Sequence, residues 1–146
     1  MNLFGKKDKP KELEFYKKMI EEIIIEWDLK PDELYNSELQ KWGLVQGSVD
    51  FFISLFNYDG TDFFECSAII VKLPDENLLA FYRKLLELND FYIGVKLAVK
   101  DNQVWLYGQR ECEGMDKDEA RRIIDNVRIT ADDIDVRLMQ EFGASK

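Results

Sequence analysis

A helix with apolar side chains over half its circumference needs two surfaces to bury them, and residues 73–89 of this 146-residue chain encode such a helix. The stretch reads Leu-Pro-Asp-Glu-Asn-Leu-Leu-Ala-Phe-Tyr-Arg-Lys-Leu-Leu-Glu-Leu-Asn. Pro74 closes the preceding strand, and Asp75 is the predicted N-cap. At about 100° per residue, Leu78, Leu79, Phe81, Tyr82, Leu85, Leu86 and Leu88 fill an apolar arc of roughly 180°. Only Ala80, Arg83, Lys84 and Glu87 lie opposite. A single sheet covers a stripe of about 100°. The excess, carried by Leu78, Leu79, Tyr82 and Leu86, calls for another part of the chain or a second copy of it, and a dimer interface is expected there.

The rest of the chain supplies the sheet and two more helices. Met1 to Pro10 reads as a basic, frayed lead-in, and residues 11–146 as one domain. From Lys11 to Leu29 the spacing of Leu13, Tyr16, Ile20, Ile23, Ile24 and Trp27 predicts an amphipathic helix. A polar connection from Pro31 to Ser37 and an irregular strand from Glu38 to Val45 follow. Val49, Phe51, Ile53 and Leu55 then alternate with Asp50, Phe52, Ser54 and Phe56. Asp59-Gly60 turns the chain, and a return strand runs from Asp62 to Leu73. A second hairpin turns at Asp101-Asn102, with Val95, Leu97 and Val99 alternating against Lys96, Ala98 and Lys100. Trp105, Tyr107 and Gln109 alternate with Val104, Leu106 and Gly108 on its second strand. The alternating lysines predict a wetter face here. Asp116 with Glu119 has the form of a capping box. Ala120, Ile124, Val127, Ala131, Ile134 and Leu138 predict a long last helix, with Thr130 marking a kink. The order α-β-β-β-α-β-β-α predicts an α+β fold with an antiparallel sheet.

Composition removes more functions than it suggests. The chain has no histidine, so Ser-His-Asp and Cys-His nucleophiles, histidine bases and histidine zinc sites are excluded. Phosphate-binding and dinucleotide glycine motifs are absent. Asp132, Asp133 and Asp135 are read as a solvated helix face, not a calcium loop. No metal, cofactor or catalytic residue is assigned. A net charge of −9 argues against binding a nucleic-acid backbone and suits neutral or basic protein partners. With no apolar run long enough for a membrane span and no signal-peptide pattern, a cytoplasmic location is expected. Cys66 and Cys112 form no redox or disulfide framework.

One constellation invites a binding role. Phe52, Phe56, Phe63, Trp105 and Tyr107 fall opposite the main apolar set of their strands. They either line a groove for a peptide segment or are covered as ordinary core by the terminal helix.

In order, the elements resemble those of the YbjN family, whose fold is that of the type III secretion chaperones. Three stretches carry the resemblance: Val49–Ile53 through Asp59-Gly60 to Ala68–Val71, Leu73-Pro74 into Leu85-Leu86-Glu87-Leu88-Asn89, and Lys96–Asp101 with Val104-Trp105-Leu106 ahead of Asp116. The resemblance implies a small, acidic, usually dimeric protein that binds segments of other proteins without catalysis, its middle helix helping to form the dimer. Gly108–Cys112 departs from the family pattern, and a less regular strand end is expected there. The leading reading is a non-enzymatic, homodimeric, protein-binding adaptor or chaperone-like regulator. The alternatives are a small-molecule sensor or carboxylate-based enzyme using a helix–sheet cavity, and a structural subunit of a larger assembly.

Overall fold

A computed structural model describes residues 11–146, and the lead-in expected at residues 1–10 lies outside them. The elements are α1 (Leu13–Glu26), α2 (Pro31–Leu34), β1 (Tyr35–Asn36), β2 (Lys41–Gln46), β3 (Val49–Tyr58), β4 (Thr61–Lys72), α3 (Leu78–Phe91), β5 (Lys96–Lys100), β6 (Gln103–Glu111) and α4 (Lys117–Phe142). The six strands form one sheet in the order β1-β2-β3-β4-β6-β5, every neighbouring pair antiparallel. The α+β architecture expected from the pattern is therefore present. The polar connection at 31–37 holds a short helix and strand instead of coil.

Two tight turns set the register. Asp59 and Gly60 have φ of 49° and 80°, and Asp101 and Asn102 have φ of 52° and 62°. Positive φ at both central residues is what a two-residue hairpin turn needs to match strand twist. Tyr58 then pairs with Thr61, and Lys100 with Gln103. Between Ile69 and Val71 the register of β4 against β6 slips. The bulge explains why Ile70 and Val71, adjacent in sequence, are both buried where strict alternation predicts only one.

One face of the sheet carries the core. Phe51, Ile53, Phe64, Cys66, Ala68, Val104 and Leu106 meet Ile20, Ile23 and Ile24 of α1, Phe81 and Leu85 of α3, and Ile124, Val127, Ile134 and Leu138 of α4. The α1 and α4 stripes are those read from the sequence. Helix α4 lies close over the sheet at Gly108, where an added Cβ would come within 2.8 Å of Val127 Cγ2 and 3.0 Å of Ile123 Cγ2. Lys117 and Arg121 of α4 both bond Glu26 of α1. The Lys117 bond, then that of Arg121, holds the Glu26 carboxyl below its usual range.

Four local expectations are corrected. The N-cap of α3 is Asn77, not Asp75: residues 75 and 76 form a bend, and Asn77 takes the left-handed conformation that asparagine tolerates, φ 57°. Helix α4 continues through Thr130, whose hydroxyl donates to the Asn126 side chain at 3.4 Å instead of competing for the backbone. Asp135 is not on a solvated face. It is buried against Lys146 Nζ at 2.8 Å, while Asp132 and Asp133 are exposed. Finally, β6 runs regularly through Gln109, Arg110 and Glu111, and Cys112 N–H still donates to the Asp62 carbonyl at 2.9 Å. The lack of a side chain at Gly108 lets the strand stay regular beneath α4.

The capping box at the start of α4 is present in both directions, at 2.8 Å each way. Replacing Asp116 by alanine strands the Glu119 N–H and is expected to cost about 1 kcal/mol in urea unfolding.

Candidate protein-interaction surfaces

Helix α3 divides its apolar arc between two environments. Phe81, Leu85 and Leu88 are buried, with Phe81 edge-on to Phe142 of α4 at 5.2 Å. Leu79 and Leu86 are 86% and 69% exposed, and Leu78 and Tyr82 stand at the margin. Positions 79, 82 and 86 follow one another at three and four residues, so they form a continuous outward stripe. The chain itself buries half of the arc and leaves the other half bare. Phe91 at the end of the helix and Ile93 just past it, 66% and 89% exposed, extend the apolar surface and were not foreseen.

The second surface is the other face of the sheet. All three long helices bury their stripes on the core side, so α4 does not cover the aromatic residues. Phe52, Trp105 and Tyr107 come together in one row, with Phe52 5.9 Å from Trp105 and Trp105 stacked 6.1 Å from Tyr107. Ser67 lies between Phe52 and Tyr107 in register and is buried. Phe56 and Phe63 form a separate stacked pair at 5.7 Å, divided from the row by Ser54, Glu65 and Gln109. The five aromatic residues therefore share a face but make two groups.

Three lysines bend over the row. Lys41 Nζ sits 4.4 Å from the Phe52 ring centre and 5.9 Å from that of Trp105. Lys100 lies 5.5 Å from Trp105, and Lys96 lies 5.7 Å from Tyr107. Burial, followed by the Glu65 and Asp101 carboxylates, raises the Tyr107 hydroxyl above its usual value. Reading the lysines of β5 only as a sign of wetness missed them as site residues. The signal was available: the Asp101-Asn102 turn puts Lys96 beside Tyr107 and Ala98 beside Trp105. At the β2 end the face runs into a hollow of about 350 Å³ bounded by Leu34, Leu39, Lys41 and Phe52, with Gly43 as its floor.

The edge of β5 is closed differently. Leu97 N–H donates to Asn89 Oδ1 at 2.6 Å, and Asn89 Nδ2 donates back to the Leu97 carbonyl at 3.4 Å. The last polar residue of the α3 motif thus stands where a further strand would pair. Among the described residues no cluster of carboxylates or thiols is arranged to hold a metal, and no helix is long and apolar enough to cross a membrane.

This architecture is that of the type III secretion chaperones. A chain of the ExsC–ExsE complex superposes with a TM-score of 0.65 at 14% identity, over 84% of this chain and 92% of that one. A chain of the HopA1–SchA chaperone–effector complex gives 0.65 at 11%, over 87% and 99%. YbjN from E. coli gives 0.57 at 14%, over 87% and 93%. Residues 17–138 match the sequence model of the YbjN family, described as "Putative bacterial sensory transduction regulator", and the chain belongs to that family. No curated protein sequence matches it.

Proposed function

We propose that this chain is a non-enzymatic, homodimeric adaptor of the cytoplasm, one domain over residues 11–146, that holds segments of partner proteins in a chaperone-like manner. The observation that carries the proposal is the half-bare arc of α3. Leu79, Tyr82 and Leu86 form a stripe that no other element among the described residues covers, and an identical helix related by a two-fold axis supplies a matching surface. Partner segments are taken on the aromatic face of Phe52, Phe56, Phe63, Trp105 and Tyr107. Two of the similar structures, a chaperone–effector complex and the ExsC–ExsE complex, support protein binding as the use of this fold.

Light scattering at micromolar concentration is expected to give twice the mass of the chain. The double variant Leu79→Asp/Leu86→Asp is expected to run as a monomer with an unchanged far-UV spectrum. Burying one leucine is worth roughly 1.5–3 kcal/mol, and the symmetric interface holds each position twice. The dimer should therefore weaken by well over about 100-fold. A wild-type chain that stays monomeric would remove the two-sided reading of α3. Cross-links from a captured partner should map to the aromatic face.

A further inference from the structure

We infer that the segment held on the aromatic face is acidic, with Asp or Glu side chains set against Lys41, Lys96 and Lys100. This rests on the face-binding reading above and names the chemistry of its ligand. The protein carries 29 acidic against 20 basic side chains, and among the described residues unpaired cations such as Lys18, Lys72 and Arg122 also occur singly elsewhere, so what distinguishes this face is the gathering of three. Lys84, Arg83, Arg110, Lys117, Arg121 and Arg137 each have one. Among the described residues Lys41, Lys96 and Lys100 have none, and all three lie over the same row of rings. The acids near this face form no ion pair with the three lysines: Asp50 is two strands from Trp105 in register, Glu65 bonds Gln109, Glu111 is opposite Phe63, Glu33 at the rim of the hollow pairs with Lys30, and Asp101 sits in the hairpin turn.

Resting on a ring is a weak use of a lysine at an exposed site. A carboxylate arriving on the row converts each contact to a charge-assisted bond and uncovers the ring for an apolar neighbour. The buried indole N–H of Trp105 has no acceptor among the described residues. From β2, which carries Lys41, to β5, which carries Lys96 and Lys100, is four strand spacings. That is about 19 Å, the reach of roughly six extended residues. Such a segment crosses the strands, setting one apolar side chain in the Leu34/Leu39/Phe52 hollow and its acids over the lysines beyond. The overall negative charge repels other acidic chains, so only one that finds the lysine row is retained. Single-stranded nucleic acid also combines anions with stacking groups, but three cations within a −9 chain are a poor electrostatic footprint for it.

The test is selection of a phage-displayed random dodecapeptide library on the full chain, with the lysine variant Lys41→Gln/Lys96→Gln/Lys100→Gln as comparison. Selected peptides should be enriched in Asp and Glu around an apolar residue. As free fluorescent peptides they should bind the lysine variant at least about tenfold more weakly, and wild type more weakly as salt rises. Uncharged or basic peptides that bind the lysine variant equally well but are lost with Phe52→Ala would overturn the acidic segment and leave the face as a binding surface. Peptides indifferent to both changes, or no selected peptide at all, would overturn both. Preferential binding of oligo(dT) of about 12 nucleotides would also overturn both, in favour of a nucleic-acid platform. Circular dichroism confirms that the variants are folded.

Discussion

Replacing Gly108 by valine is expected to destabilise the protein by roughly 3 kcal/mol, although valine is the better strand former. Two effects oppose each other. Strand propensity favours valine by at most about 1 kcal/mol. Against it stands α4, whose Val127 and Ile123 methyl groups already lie 2.8 and 3.0 Å from where a Cβ would be. Alanine alone forces the helix or the strand to move, and valine adds two methyl groups to the same space, so overpacking wins. Urea unfolding monitored by tryptophan fluorescence should show the midpoint lowered by about 1 M or more. Gly43→Ala is the control, because its Cβ would meet the Phe52 ring at an ordinary 3.5 Å. A Gly108→Val protein as stable as wild type would mean that α4 does not sit on the sheet as described.

Stability is also expected to fall steeply at alkaline pH. Burial raises the Cys66 thiol far above its ordinary range and pushes Cys112 up to about 11. Tyr16, Tyr92 and Tyr107 are raised as well, in each case chiefly by burial. Below the ordinary thiol value near 8.5, folded and unfolded chains hold the same protons and stability is level. Above it the unfolded chain ionises while the folded one does not, so each extra pH unit costs about 1.4 kcal/mol per thiol. At pH 10.5 the two thiols together cost on the order of 5 kcal/mol, comparable to the whole stability of many domains. Urea titrations from pH 7 to 10.5 read this directly, and Cys66→Ala should make the slope shallower. A flat profile would show that neither thiol is buried in solution.

Periodicity made most of this fold legible because each long element obeys one period over its whole length. The six α4 positions from Ala120 to Leu138 are all fully buried, and of the α1 stripe Tyr16, Ile20, Ile23 and Ile24 are buried while Leu13 and Trp27 at its ends are partly so. What escaped was set by local conformations with no periodic trace. A left-handed Asn77 displaced the start of α3, and a bulge at Ile70 brought two consecutive residues inward. Asp135 was misplaced because its partner, Lys146, lies in a tail that folds back to bond Lys72 N–H through the Ser145 carbonyl at 2.8 Å. The divided arc of α3 was visible in composition and spacing alone. The gathering of lysines on the aromatic row needed the register of two strands joined by a turn.

The side-chain amide of Asn89 occupies both hydrogen-bonding groups of Leu97. A stray extended chain that approached this flank would find its docking ladder already taken at the second residue of a five-residue strand. At the far flank β1 offers only two residues. The sheet thus gives little template for fibrous polymerisation, a protection that would serve the proposed role of holding segments of other proteins.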